Sequence, residues 1–365
     1  MLLSAFDLVL GSLDRLPLLE FSWVVGCYKF RGVLATPSSA DDVNITDVKI
    51  LFWTASHESW YHPLNESVRG MVPFDGCKVP CFVTRDRSLV RSVDAVVFHD
   101  RDTNADDLPS YRNERQRWVY WNMEAPPHSR PDRMARLGGV FNWTYTYRLD
   151  SDAPHPYFSF VNKSTQVPTA SVNVKAAPSV RTNRSKLVVW VVSFCRTPSH
   201  REAYVAELRK HVAVDVYGRC GSLNCTDSPC QARFGEKYYF YLAFENSLCH
   251  EYVTEKFYDA LKHGMVPVVL GNYARTLAPP GSYIDALRFR TPRKLASHLK
   301  TVAANSTLYE RYFAWKRKYT VVLNPFDDHC ALCEALHYAR PGKPKQYSDI
   351  VRWWHGNNGG MCARR

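Results

Sequence analysis

The chain has 365 residues, 45% hydrophobic and 22% charged, which excludes a disordered or low-complexity protein and fits two domains of roughly 150 residues each. Lys and Arg number 47 against 35 Asp and Glu, a formal net charge of +12 that favours an anionic partner: nucleic acid, an acidic membrane or a phosphorylated small molecule. Aromatic residues reach 13%, enough for sizeable cores and for stacking surfaces that meet sugars or bases.

Residues 1–28 are apolar but interrupted by Asp7, Asp14, Arg15 and Glu20. The longest clean run, Phe21 to Tyr28, falls far short of the ~20 residues that span a bilayer. The segment also has no signal-peptide n-region. The first half then alternates short strand-like runs with polar connections: Val48–Trp53, Ala95–His99, Arg117–Trp121 and Asn142–Tyr147. Residues 163–186, rich in Ser, Thr, Lys, Pro and Asn, read as a linker. In the second half, the continuous apolar run Leu187–Ser193 predicts a buried parallel strand. Ser199-His200-Arg201-Glu202 is a capping-box pattern opening a helix to about Lys210. Strands at Val212–Tyr217, Tyr238–Phe244 and Val266–Leu270 follow, with a helix between the last two. Val253, Phe257, Ala260 and Leu261 share one face of that helix, and Gly264 ends it. Two β-α-β units with buried strands predict a parallel, doubly wound α/β sheet.

Eleven cysteines include the close sets Cys77/Cys81, Cys220/Cys225/Cys230 and Cys330/Cys333, which read as zinc ligands or as disulfides. Seven N-x-[ST] sequons start at Asn44, Asn65, Asn142, Asn162, Asn183, Asn224 and Asn305. Together with the cysteines they point to the secretory pathway.

Open α/β sheets bind ligands at the carboxyl ends of their strands. Arg201 stands in the first turn of the helix after the strand at 187. Phe244-Glu245-Asn246 closes another strand and leads to Tyr252-Val253-Thr254-Glu255-Lys256, with Thr254 as N-cap. A helix N-terminus with Lys256 and Arg201 makes an anion pocket, and Glu245 and Glu255 beside it can accept hydrogen bonds from hydroxyls. Cations, acids and aromatics together suit a nucleotide-sugar better than a nucleic-acid groove. Glu124, in Trp121-Asn122-Met123-Glu124-Ala125-Pro126-Pro127-His128, is an acid at a strand end, placed as a general base or as a turn-capping carboxylate. Asp150-Ser151-Asp152 has the D-x-D form of some metal sites. The sequence contains neither a P-loop nor G-x-G-x-x-G, and its thirteen His show no H-E-x-x-H.

Tyr239–Lys256 with Gly264–Gly271 resembles the donor-binding signature of the α1,3-fucosyltransferase family, and Trp121–Ser129 and Phe141–Asp152 resemble its two acceptor-domain blocks. Val214–Gly218 leading into Cys220, the Cys77-Lys-Val-Pro-Cys81 pair, and the tail from Tyr347-Ser348-Asp349 through Trp353-Trp354 to Cys362 resemble the branch that fucosylates the innermost GlcNAc of N-glycans. Phe194 and Ala125 depart from the residues common in the family, Asn and Ser. The resemblance implies a GT-B fold, two Rossmann-like doubly wound domains facing a cleft. It divides the chain into an acceptor-binding domain at 1–165, a linker at 166–186, a GDP-fucose-binding domain at 187–340, and a tail at 341–365 packing back toward the first domain. It implies an inverting transfer of fucose from GDP-fucose without an obligatory metal or other cofactor, so that no residue is assigned to metal. It also implies a Golgi-lumenal type II membrane protein, whose N-terminal anchor this sequence lacks.

By matching position, Glu124 becomes the general base. Arg201 and Lys256 hold the diphosphate, and Tyr217, Tyr241, Glu245, Asn246, Tyr252 and Glu255 complete the donor site. Trp53, His99, His128 and Trp315 are the acceptor candidates. Cys330 and Cys333 are expected to pair with Cys77 and Cys81, in the register Cys77–Cys330 and Cys81–Cys333. The expected partners are GDP-fucose and an N-glycan on a glycoprotein, with no nucleic acid, since no Lys/Arg-rich run is interleaved with aromatics. Two alternatives stand: a Lewis-type enzyme acting on antennary N-acetyllactosamine, and an inactive homologue that binds glycan or GDP-fucose without transfer.

Overall fold

The computed structural model describes residues 22–25, 28–31, 47–54, 70–165, 184–224, 230–271, 277–324, 328–339 and 345–363. Most of the expected linker, and the sequons at Asn44, Asn65 and Asn183, lie outside these residues. Short strands at Ser22–Val25 and Tyr28–Arg31 pair antiparallel ahead of the main fold.

The first sheet has seven strands: β1 (Val48–Phe52), β2 (Val72–Pro73), β3 (Cys81–Thr84), β4 (Ala95–His99), β5 (Arg117–Asn122), β6 (Trp143–Thr146) and β7 (Ala153–Pro154). Their order is β2-β3-β1-β4-β5-β6-β7, and only the β2 edge runs antiparallel. Strands covered on both faces must be apolar throughout, and Ala95, Val96, Val97 and Phe98 of β4 are all fully buried.

β8 (Phe158–Asn162) leads out of this sheet. The second sheet holds β9 (Lys186–Val191), β10 (Val214–Tyr217), β11 (Tyr238–Leu242), β12 (Val266–Val269) and β13 (Ile284–Asp285), all parallel, in the order β10-β9-β11-β12-β13. Helices α1 (Arg201–Leu208), α2 (Glu255–Lys262) and α3 (Pro292–Ala303) connect or cover these strands. Gly264 follows α2 with φ +72°, a left-handed turn that a side chain disfavours, and lets Met265 N donate to Ala260 O at 2.8 Å.

In each sheet the winding reverses beside the strand the chain enters first, giving a switch point between β1 and β4 and another between β9 and β11. Trp53 and His99 stand at the first. Arg201 and Glu245 follow the strands of the second.

β14 (Tyr319–Leu323) pairs antiparallel with β8, and Phe158 stacks on Phe257 of α2 with centroids 5.2 Å apart, so the two halves share packed apolar surface. The chain then returns to the first sheet earlier than the expected boundary at 340. Helix α4 (Cys330–His337) is tied to it by Cys77–Cys330 and Cys81–Cys333. Helix α5 (Ile350–His355) buries Trp354 completely against Tyr120 and Tyr147, at 5.7 and 5.6 Å between centroids.

The capping-box expectation at Ser199 is corrected. His200, with φ 49°, is the N-cap of α1 and makes no side-chain cap. Ser199 Oγ instead donates to Glu245 O at 2.7 Å, and Glu202 reaches back to Thr197, accepting from its Oγ1 at 2.9 Å. The hydroxyl that could cap α1 thus braces the end of the neighbouring strand segment. The Asn142 sequon is also corrected as an acceptor of carbohydrate. Its side chain is 2% exposed, accepting from Trp118 N at 2.7 Å and donating to Gln116 O at 3.3 Å. Asn162, Asn224 and Asn305 are exposed, and Asn305 caps a helix through its side-chain oxygen, which accepts from Leu308 N at 3.0 Å.

Candidate active site

The second sheet supplies a compact charged cluster. β11 runs on into buried Glu245, whose Oε1 accepts from Thr254 N at 2.8 Å and Thr254 Oγ1 at 2.9 Å. Lys256 Nζ lies 3.2 Å from Glu245 Oε2, 2.9 Å from Glu255 Oε1 and 2.8 Å from Thr254 Oγ1. Thr254 is the N-cap of α2, as the sequence predicts, yet its hydroxyl serves Glu245 and caps no backbone N–H. The start of α2 therefore keeps the positive end of a helix beside the Lys256 ammonium.

Electrostatics lock the cluster. Burial pushes the Glu245 carboxyl above the ordinary glutamate value, with Lys256 opposing. Burial works against charge on Lys256, but Glu245 and Glu255 outweigh it and hold the ammonium above its usual range. Glu255 is half exposed, and the neighbouring Lys256 holds it below the usual range against burial. Lys256 keeps 23% of its side chain accessible.

Arg201 opens α1, as expected, with its guanidinium turned to backbone carbonyls. It is 3% exposed, and Nη1 and Nη2 donate to the carbonyls of Phe244, at 2.5 Å, and Phe194, at 3.2 Å, while Nε is buried without a hydrogen-bond partner. It braces two strand ends from beneath the cluster. Tyr241 is corrected as a donor contact: at 3% exposure it belongs to the core. Tyr217 is half-buried, its ring 4.7 Å from Phe234 and its hydroxyl 3.3 Å from that of Tyr238. Asn246 is half-buried, with its Oδ1 buried and unpartnered.

The first sheet contributes a carboxylate held by neutral groups. Glu124 follows β5, and its backbone N donates to Asn122 Oδ1 at 2.8 Å. Asn122 Nδ2 donates in turn to Asp100 Oδ2 and to Tyr120 Oη, both at 3.2 Å. Burial raises Asp100 from 3.8 to about 6, opposed by the Tyr120 hydroxyl. Tyr157 Oη donates to Met123 O just before Glu124.

Three contacts close the two halves on each other. Tyr252 Oη donates to Glu124 Oε2 at 3.2 Å, joining the acid of the first sheet to the loop that leads into α2. Ser247 Oγ and His128 Nε2 lie 3.2 Å apart. Leu149 N donates to Glu251 Oε2 at 2.8 Å. The donor loop is also fastened to the tail by Cys249–Cys362, with His250 N donating to Met361 O and Ala363 N to Leu248 O, both at 2.8 Å. Sequence reasoning missed this latch, although both cysteines lie in segments it singled out. It also missed Cys195–Cys220, Asn122, Asp100 and Ser247.

Of the acceptor candidates, His128 stands at this junction. His99 lies at the end of β4, with Nδ1 2.6 Å from Asp102 and its ring 4.9 Å from Trp121. Trp53 donates from Nε1 to Asp107 O at 2.6 Å under the Arg87 guanidinium. Trp315 is corrected: it is 7% exposed and edge-on to Phe160 at 5.1 Å, a core residue beside β8 and β14. The D-x-D carboxylates are occupied separately. Asp150 binds Arg148, and Asp152 accepts from Thr144 N at 2.9 Å and Tyr347 Oη at 2.7 Å.

Comparison with known proteins bears on this geometry. Residues 46–158 match the fucosyltransferase N-terminal family model, and residues 181–353 match the model of the C-terminal region of glycosyltransferase family 10 (fucosyltransferase). The chain is 37% identical over 297 residues to α-(1,3)-fucosyltransferase C of Drosophila melanogaster, covering 75% of this chain and 69% of that protein. It is 31% identical over 306 residues to glycoprotein 3-α-L-fucosyltransferase A of the same organism, covering 82% of this chain and 58% of that protein. It is 37% identical over 288 residues to 4-galactosyl-N-acetylglucosaminide 3-α-L-fucosyltransferase 9 of Rattus norvegicus, covering 75% and 74%. Among solved structures, a crystal structure of an α1,3-fucosyltransferase shares the fold, with a TM-score of 0.53 at 13% identity over 83% of this chain and 93% of that one.

Proposed function

The chain belongs to glycosyltransferase family 10, the fucosyltransferases, and on that premise we propose that it transfers L-fucose from GDP-fucose to the 3-hydroxyl of a GlcNAc, with inversion at the fucose carbon. The observation that carries this reading is the Tyr252–Glu124 hydrogen bond, because it holds the Glu124 carboxylate against the loop that leads into the start of α2. Glu124 takes the proton of the attacking hydroxyl as its oxygen bonds to the fucose carbon and the bond to GDP breaks. The Lys256 ammonium and the first turn of α2 meet the charge developing on the departing diphosphate. Arg201, buried beneath, adds positive potential and keeps the two strand ends in place. Tyr252 fixes the base, and Glu245 fixes Lys256 and Thr254.

This charge complement makes an obligatory metal unnecessary in the proposed reaction. Asp150 and Asp152 are committed to Arg148 and to Thr144 and Tyr347, which argues against their acting as a metal pair. The acceptor we propose is the innermost GlcNAc of a glycoprotein N-glycan, with outer N-acetyllactosamine GlcNAc as the second reading. The latter is favoured by the 37% identity to an enzyme named for 4-galactosyl-N-acetylglucosaminide. The lumen of the Golgi is the proposed compartment, supported by four disulfides among the described residues, which persist in an oxidising environment. No helix among the described residues is long and apolar enough to cross a membrane.

Incubation with GDP-fucose and a defined N-glycan panel, read by mass spectrometry, tests the reading. A mass gain of one deoxyhexose on the innermost GlcNAc is expected. Gain only on antennae selects the second reading, and GDP-fucose binding without any gain leaves an inactive homologue.

A further inference from the structure

Phe194 has no part in the chemistry above. It stands beyond the carboxyl end of β9 and is 50% exposed. Single exposed apolar residues are ordinary on a protein surface, so its placement must carry the argument. Two aromatic residues are among the exposed large hydrophobics of the described residues, Phe194 and Tyr338. Tyr338 packs on its neighbour His337, at 4.9 Å between centroids. The Phe194 ring instead lies 6.0 Å from that of His128, across the junction of the two halves, in the loop that carries Glu124.

The backbone beneath this ring is held on both sides. The carbonyl of Phe194 accepts from buried Arg201, and the next residue, Cys195, is bonded to Cys220. The ring is thus presented from a fixed base while half of its surface faces solvent. Such preorganisation lowers the entropy lost when a ligand is received. The cluster of Glu245, Thr254 and Lys256 is reached from β11, whereas Phe194 is reached from β9 and packs on the first sheet's loop. A sugar whose hydroxyl reaches Glu124 has its ring beside that loop. Pyranose rings carry C–H groups on one face, and these stack on an aromatic ring while the hydroxyls remain at the edge.

We infer that Phe194 is the platform on which the apolar face of the acceptor sugar stacks, and therefore a specificity-determining residue for the transfer. This rests on the fucosyl-transfer reading. Steady-state kinetics of the wild type, Phe194→Ala and Phe194→Tyr test it, with GDP-fucose and a purified N-glycan that the wild type fucosylates. The Ala variant is expected to raise the acceptor KM about 3- to 12-fold, the worth of a stacking contact. The KM for GDP-fucose and its slow hydrolysis without acceptor should not change, and Tyr should restore the acceptor KM. An unchanged acceptor KM overturns the inference. A change confined to the GDP-fucose KM also overturns it, by placing the ring against the nucleotide. Absence of transfer by the wild type to every glycan removes the underlying reading itself, an outcome distinct from a wild type that transfers while its acceptor KM ignores the ring.

Discussion

The two sheets share a winding scheme and a reversal beside the first strand, yet their carboxyl ends are built from different materials. The end of the second sheet is a knot of charge, in which Lys256 is shared between Glu245 and Glu255 above a buried Arg201. At the end of the first sheet the neutral groups Asn122, Tyr120 and Tyr252 link the Glu124 carboxylate to a buried Asp100. On the proposed reaction, the difference follows from what each side has to do. A diphosphate needs standing positive charge, and that charge needs counter-carboxylates to survive burial. A base needs the reverse, a carboxylate with no cation close enough to neutralise it.

The sharpest way to break this comparison is Glu124→Gln. The change is isosteric, so turnover should fall by roughly 10²–10⁴-fold while GDP affinity, measured by calorimetry, holds. Equal losses in both would mean that the two sides are not separable. Lys256→Ala should do the opposite, weakening GDP binding about 10- to 150-fold, because it removes a charge-assisted contact worth about 1.5–3 kcal/mol. Arg201→Ala should cost thermal stability more than GDP affinity, since its hydrogen bonds go to the carbonyls of Phe244 and Phe194. A large loss of GDP affinity with an unchanged melting temperature would return Arg201 to the phosphate site.

The smallest effect concerns the neutral side. The folded pKa of Asp100 is raised to about 6, so the folded state keeps its proton where the unfolded chain releases it. Stability from this group is full at low pH and declines as pH rises from about 4 to about 6, with a slope approaching 1 kcal/mol per pH unit. Burial outweighs the opposing Tyr120 hydroxyl, His99 and Arg101, with the Asp102 carboxylate adding to the rise, while Asn122 Nδ2 donates to Asp100 Oδ2. Asp100→Asn should remove this slope from a plot of melting temperature against pH. A slope that persists assigns it to another group.

The charged end of the second sheet is legible because its parts are close in sequence. Glu245, Thr254, Glu255 and Lys256 lie within one strand-loop-helix unit, and local rules of capping and strand ends bring them together. The end of the first sheet depends on contacts between distant residues. Tyr252 and Glu124 are 128 positions apart, and Trp354 reaches Ser129 across 225. No periodicity reports such pairings. Tyr241 and Trp315 were misplaced for a related reason: an aromatic residue near a strand end can face the cleft or the core, and both face the core. The Asn142 triplet marks a chemical possibility, but an amide spent on Trp118 and Gln116 is closed to modification.

The long-range disulfides set an order of events during synthesis. Cys330, Cys333 and Cys362 each lie later in the chain than the cysteines they bind, by 253, 252 and 113 positions. The first sheet leaves the ribosome early, but Cys77 and Cys81 must wait as thiols until the whole second sheet has been made. The donor loop waits likewise for Cys362. A chain interrupted between the second sheet and Cys330 therefore carries unpaired thiols on both halves, a chemical mark of incompleteness that thiol-exchange enzymes can act on.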